Sequence, residues 1–246
     1  GGKYDMGIPV NKILARIREG KIAKGCALTF PSNNLVELVG LSGLDFLYLD
    51  GEHGSFSPNE IEDMCRVAEL YGVTTVARVP DIQTSTILMY LDRGVMGIEG
   101  PHVTTPEDAK QLVNACYFSP IGSRGISSSR GARYGTAGAT SEYTHKLNEE
   151  IFVFALLEDV KILDDLDGLL EVEGIHAYHV GTEDLAGTMG HPGNPDHPDV
   201  VSVAEKITDE IHTKGKKLSE ELVAAARGSH IFLDGLRTFS KGMSKG

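Results

Sequence analysis

Five ionisable residues stand at or beside the ends of separate apolar runs. Asp50 closes Phe46–Asp50 and His53 follows it, Arg78 lies in Thr74–Val79, Glu158 closes Ile151–Glu158, and Asp184 follows His176–Gly181. Glu99, at the end of Val95–Glu99, is a sixth. Glu158 and Asp184 are one strand–helix unit apart, so adjacent parallel strands would present them side by side. Two bare carboxylates repel, and one would hold its proton. A divalent cation removes that cost, and oxygen donors without intervening His or Cys favour Mg²⁺ or Mn²⁺ over zinc. Such an ion leaves positions that the carboxylate and keto oxygens of a 2-oxo acid can fill, and as a Lewis acid it stabilises the enolate. The expected chemistry is making or breaking a carbon–carbon bond beside a 2-oxo acid. The plainer alternative is that each acid caps the helix after it. His53 lies three residues after Asp50, and a nearby carboxylate can fix a histidine tautomer and raise its basicity. Arg78 on a buried strand needs an anion, either a substrate oxygen or a structural partner.

The elements that must hold these residues alternate. Continuous apolar runs at Cys26–Phe30, Phe46–Asp50, Thr74–Val79, Val95–Glu99, Ile151–Glu158, His176–Gly181 and Ile231–Asp234 read as strands buried on both faces. Helical spacing covers Pro58–Tyr71, Thr84–Arg93, Pro106–Ala115, Val160–Leu170 and Val200–Thr213. Such alternation predicts a parallel α/β sheet. No Gly-rich dinucleotide fingerprint follows the first strand, which favours a closed (β/α)8 TIM barrel over a doubly wound sheet. One of the eight is weak, the seventh in chain order: Lys216–Ser219 is short and runs into a helical stretch, Glu220–Ala226. In a barrel the strands' C-terminal ends build the active site, and that is where these residues fall.

Two segments break the rhythm. Tyr117–Thr140 carries five glycines and Arg124, Arg130 and Arg133 with no acid before Thr140, and it reads as a flexible loop or a lid over the site. Met189–Pro198 holds three prolines with His191 and His197, and it reads as a stiff structural loop rather than a metal site.

With 246 residues, 41% of them hydrophobic, the chain can build one sizeable core, and residues 1–246 are expected to form one domain. A formal net charge of −12 argues against nucleic acid or an anionic membrane as partner. Cys26, Cys65 and Cys116 suggest neither a disulfide framework nor a zinc motif and read as core residues. No apolar run is long enough to cross a bilayer and nothing at the start reads as a signal segment, so a cytoplasmic location is expected.

From about Gly25 onward the chain resembles the HpcH/HpaI aldolase family, metal-dependent 2-oxo-acid aldolases of the phosphoenolpyruvate/pyruvate barrel superfamily. The likeness rests on Asp50-Gly51-Glu52-His53, on Ala77-Arg78-Val79-Pro80 and on Ser119-Pro120-Ile121-Gly122-Ser123-Arg124-Gly125. Most specific is Gly181-Thr182-Glu183-Asp184-Leu185 followed by Met189-Gly190-His191-Pro192-Gly193. The resemblance implies that Glu158 and Asp184 hold Mg²⁺ foremost, with Mn²⁺ or Co²⁺ as substitutes. It implies that Arg78 binds the keto oxygen, that His53, oriented by Asp50, moves protons, and that amides around Gly181, Thr182 and Glu183 hold the substrate carboxylate. Asp92 corresponds to a residue that reaches a neighbouring subunit's site, and a homo-oligomer, usually a hexamer, is expected.

The chain departs from the pattern in three places. It has no tryptophan where many relatives end the first strand, Leu156 stands where many have glutamine, and Glu183 replaces a small residue. The leading expectation is reversible cleavage of a 4-hydroxy-2-oxo acid to pyruvate, or a similar 2-oxo acid, and an aldehyde. The altered pocket also admits a C–C condensing synthase or a CoA-thioester lyase, with the arginine loop holding an extra carboxylate or a CoA phosphate. A barrel that binds ligand without turnover is the remaining alternative.

Overall fold

The computed structural model describes residues 7–243; residues 1–6 and 244–246 lie outside the described residues. Seven parallel strands form one sheet: β1 (Ala23–Leu28), β2 (Phe46–Asp50), β3 (Thr74–Arg78), β4 (Gly97–Gly100), β5 (Phe152–Leu157), β6 (Ala177–Val180) and β7 (Val223–Arg227). Their order is β6-β5-β4-β3-β2-β1-β7. The connections are helical: α1 (Lys12–Arg18), α2 (Asn33–Leu41), α3 (Pro58–Leu70), α4 (Thr84–Asp92), α5 (Pro106–Cys116), α6 (Thr140–Glu149), α7 (Leu166–Leu170), α8 (Thr182–Thr188), α9 (Pro198–Thr213) and α10 (Gly228–Met243).

Local chemistry sets several boundaries. Ser57 and Glu60 make a reciprocal capping box at α3, and Thr105 and Asp108 make one at α5, each with proline in the first turn. β5 is buried at every position, as a central parallel strand requires.

The sheet's two faces bury different cores. Leu47, Leu49, Ala77, Ile98, Val153 and Leu157 point outward into the large cluster shared with the helices. Phe46, Val76, Phe152 and Phe154 point to the concave side and meet Ile13 and Leu14 of α1 in a much smaller cluster. Asn11 anchors that helix: its side chain caps Ile13 N–H and donates to the Met96 and Glu150 carbonyls. Cys26, Cys65 and Cys116 are free and buried, and burial pushes the Cys65 and Cys116 thiols up to about 12.

The expectation of eight strands needs correction. The Lys216–Ser219 run makes a single parallel bridge, Leu218 to Tyr178, supported by Tyr178 N–H donating to the Lys217 carbonyl at 2.9 Å. A short turn, Ser219–Glu221, then leads straight into β7, which pairs with β1 from Ala23–Val223 to Ala27–Arg227. The helix expected over Glu220–Ala226 is therefore mostly strand. The strand expected at Ile231–Asp234 lies inside α10, where Ile231 and Phe232 are exposed. A short apolar run does not by itself distinguish a buried strand from a turn of helix.

Candidate active site

The strands' C-terminal ends gather most of the expected residues. Asp50 ends β2 and takes Arg78, its register partner on β3, in a two-pronged grip: Nε donates to Oδ1 at 3.0 Å and Nη2 to Oδ2 at 2.7 Å. Arg78 Nη1 stands 3.2 Å from Glu52 Oε2. Burial pushes the Asp50 carboxyl up, but the hydrogen bonds and charge of Arg78 outweigh it and leave Asp50 below its ordinary range. The expected role of Asp50 toward His53 needs correction. Asp50 Oδ1 accepts the His53 backbone N–H at 3.2 Å, while the imidazole is exposed with Nε2 3.8 Å from Glu52 Oε2. The carboxylate that was to orient the ring is taken by the guanidinium.

Glu158 follows β5 and is 3% exposed. Burial raises its pKa; the bond from His102 opposes this, and the negative charges of Glu52 and Asp184 add to it. Asp184 sits exposed in the first turn of α8. Gly181, which precedes that helix, has to be glycine: a β-carbon there would lie 2.9 Å from Glu158 Cβ and 3.1 Å from Leu156 Cδ1.

One residue of this cluster escaped the sequence reading. His102 links the acids: its backbone N–H donates to Glu158 Oε1 at 3.0 Å, Nδ1 lies 2.8 Å from the same oxygen, and Nε2 lies 3.1 Å from Glu52 Oε1. Its φ of 52° is a left-handed conformation that non-glycine residues adopt at a cost of about 1–2 kcal/mol. Its position just past β4, in Gly100-Pro101-His102, was the available signal.

A divalent cation fits this place. Glu52 Oε2 is buried and accepts no hydrogen bond, its ion pair with Arg78 Nη1 at 3.2 Å aside, which leaves it open to an ion or water. Glu158 is pushed toward protonation by burial first, and further by the charges of Glu52 and Asp184. The donors are carboxylate oxygens, as Mg²⁺ and Mn²⁺ prefer.

Two expected features lie elsewhere. Asp92 ends α4, where Oδ2 accepts from Ser127 Oγ at 3.1 Å and Oδ1 lies 3.7 Å from Arg124. The loop Tyr117–Thr140 does not cover the site. It follows α5 and precedes β5, and it packs at the opposite end, against Gly94 and Ile151 where β4 and β5 begin. Arg130 and Arg133 reach Glu69 at 3.0 and 2.8 Å, Arg130 also donates to the Arg93 carbonyl, and Arg124 lies over the Phe118 ring at 4.6 Å. These arginines are committed inside the chain. Burial nevertheless holds Arg124 below its ordinary value despite Asp92.

In the proline-rich loop, His191 and His197 stack with centroids 3.6 Å apart, and their ring nitrogens gather with an Asp199 oxygen within 4.8 Å, a cluster that spacing did not disclose. Its visible work is capping: His197 Nδ1 accepts Asp199 N–H at 3.3 Å at the start of α9.

On the concave face, Tyr48 O–H donates to Glu99 Oε2, and His179 Nδ1 lies 2.8 Å from Glu99 Oε1. Burial lowers the His179 pKa, but Glu99 outweighs it and the net shift is upward. Glu99, noted as a strand end, therefore belongs to a separate inward group.

The profile described as "HpcH/HpaI aldolase/citrate lyase" matches residues 28–244. The chain is 31% identical over 212 residues to a 4-hydroxy-2-oxovalerate aldolase of Rhodococcus jostii, covering 85% of this chain and 80% of that one. It is 32% identical over 211 residues to a 2-keto-3-deoxy-L-rhamnonate aldolase of Escherichia coli K12, covering 84% and 77%. A family protein from Burkholderia cenocepacia superposes with a TM-score of 0.85 at 23% identity, covering 96% of this chain and 100% of that one, a likeness of fold.

Proposed function

Because this chain belongs to the HpcH/HpaI aldolase/citrate lyase family, we propose that it is a carbon–carbon lyase cleaving a 4-hydroxy-2-oxo acid reversibly to pyruvate, or a similar 2-oxo acid, and an aldehyde. The observation that carries this is the excess of carboxylates around buried Glu158, with Glu52 and Asp184 beside it and one oxygen of Glu52 without a hydrogen bond.

Glu158 and Asp184 would hold the cation, Mg²⁺ in the first instance, with Glu52 close behind. When bound, the cation supplies Lewis acidity that lowers the cost of forming an enolate. Arg78 holds the donor's keto oxygen: its Nε and Nη2 are fixed on Asp50, while Nη1 makes only the looser pair with Glu52 and can turn to a substrate oxygen. Asp50 is thus a positioning residue for Arg78. His53, exposed at the rim, carries the proton to and from the hydroxyl that becomes the aldehyde. The unpaired N–H groups of Thr182 and Glu183 at the start of α8, where Gly181 provides no side-chain cap, suit the substrate carboxylate.

The scaffold is read as a one-domain (β/α)8 barrel with an abbreviated seventh unit. A homo-oligomer accords with the exposed Ile231, Phe232, Leu236 and Phe239 along α10, and in it Asp92 would serve a neighbour's site. The condensing reading keeps Leu156 and the missing tryptophan in its favour but loses the arginine loop, since Arg124, Arg130 and Arg133 face away.

The test is solvent deuterium exchange into the pyruvate methyl group, followed by NMR with Mg²⁺ and with EDTA. Exchange that needs the metal and disappears in Glu158→Ala is expected. Exchange that persists in EDTA would overturn the reading.

A further inference from the structure

A cavity of about 760 Å³ occupies the concave side of the sheet. It opens beside Asp50, His53 and Arg78 and runs down to Ile13, Phe46 and Phe152. At a rise near 3.3 Å per residue, Phe46 to Asp50 alone spans roughly 13 Å of depth. Closed sheets of this width are normally filled by layers of side chains. Here the strand expected at Lys216–Ser219 is one bridge at Leu218, so it supplies no layer, and Ala27 and Ala225 line the neighbouring wall with methyl groups only.

The lining changes with depth. Level with Arg78, whose register partner is Glu99, a polar collar of Tyr48, Glu99 and His179 crosses the cavity. Glu99 is 1% exposed and satisfied by both neighbours, whereas the His179 side chain keeps 48% of its surface open, toward a space it lines. Below the collar the walls are Ile13, Phe46, Val76, Phe152 and Val223. Pyruvate fills little of this volume, which is in the range that holds larger organic ligands. Water is poorly held by an apolar floor that offers it no partners.

We infer that the aldehyde partner in this reaction carries an apolar tail, alkyl or aryl, and that the tail is received by this cavity beneath Tyr48, Glu99 and His179. The inference rests on the enolate reading above and assigns the acceptor's class. The aldehyde carbon stays level with Arg78 and the tail passes the collar into the floor. In the addition direction the enolate carbon bonds to the aldehyde carbon, the carbonyl π pair moves to oxygen, and that oxygen takes one proton to become the hydroxyl. Cleavage is the reverse.

The test measures kcat/KM for addition of pyruvate to glycolaldehyde, butanal and octanal with the Mg²⁺-loaded enzyme, alongside pyruvate exchange. At least a tenfold preference for octanal over glycolaldehyde is expected. Ala225→Phe, which fills the cavity away from the reacting groups, should abolish that preference and leave exchange and glycolaldehyde addition unchanged. Octanol should inhibit competitively against the aldehyde in the unmodified enzyme, a readout that stands if the variant fails to fold. Exchange with no chain-length preference and no octanol inhibition overturns this inference alone. Absence of exchange overturns the enolate reading and this inference with it.

Discussion

At the strands' N-terminal ends, Arg124, Arg130 and Arg133 face Asp92 and Glu69; at the C-terminal ends, Asp50, Glu52, Glu158 and Asp184 face Arg78, His102 and His53. The lower group is close to complete within the chain. Glu69 takes two arginines, the Arg93 carbonyl takes another donor, and Phe118 covers the third guanidinium. The upper group is left short of positive charge: Glu158 is pushed toward protonation and an oxygen of Glu52 goes without a hydrogen bond. Both groups are ionic and partly buried, and Arg124 Nε in the first also lacks a hydrogen bond, but only the second gathers an excess of carboxylates, the charge that a cation would complete. Charge satisfaction, more than burial or residue type, separates scaffold from site.

The sharpest way to break this contrast is Glu158→Ala. Exchange into pyruvate should fall about 10³-fold, as loss of a Lewis acid implies, while the metal-free protein melts no lower, because a like-charge repulsion has been removed. A lowered melting temperature without metal would place Glu158 with the scaffold. Asp50→Asn comes next. It loosens Arg78 and should cost roughly 10²-fold in turnover, the usual size for a displaced oxyanion donor, with metal affinity unchanged by calorimetry. Gly181→Ala is milder: it crowds Glu158 and should weaken Mg²⁺ binding about tenfold, as loss of a supporting contact does.

A pH series gives a smaller effect with a defined sign. The Glu158 carboxyl titrates above its unfolded value, about 4.3. The folded state therefore binds the extra proton, and stability is lost as pH rises from that value through the folded one. A bound cation cancels the loss, so Mg²⁺ should raise the melting temperature more at pH 7 than at pH 5. Asp50 has the opposite sign: its contribution is present above about 3.9 and is lost as pH falls through its depressed folded value. Equal metal stabilisation at both pH values would count against Glu158 as ligand. Least for turnover, Arg130→Ala should cost about 1–3 kcal/mol of stability by leaving the Arg93 carbonyl without its donor while Arg133 still holds Glu69, with exchange per folded molecule unchanged. A loss of exchange would give the lower end a catalytic role.

The strand ends were legible because apolar runs that stop at an ionisable residue carry two signals at once, burial and its termination. Asp50, Arg78, Glu158 and Asp184 were found that way. His102 is not legible in the same way, because the apolar run Val95–Glu99 ends three residues before it. The arginine loop was misplaced for a topological reason. It follows a helix and precedes a strand, so it lies at the N-terminal end, and composition alone made it resemble a lid. The Asp50–His53 pairing failed because spacing shows proximity but not which partner wins, and a bidentate guanidinium holds a carboxylate better than an imidazole. The last unit was misread because Val223–Arg227 is mostly alanine, with little to announce a strand, while Ile231–Leu233 is apolar on an exposed helix.

The pairing of Ala23 with Val223 joins strands two hundred positions apart. Every other ladder in the sheet links neighbours in chain order. The six strands from β1 to β6 can therefore assemble progressively, each on the one before, whereas β7 has to wait until β1 has its place, because contacts so distant in sequence gain nothing until the loop between them is closed. Since β7 also walls the concave cavity, that pocket is completed in the last act of folding. A chain emerging from the ribosome would hold its carboxylates in place before it held the space beneath them.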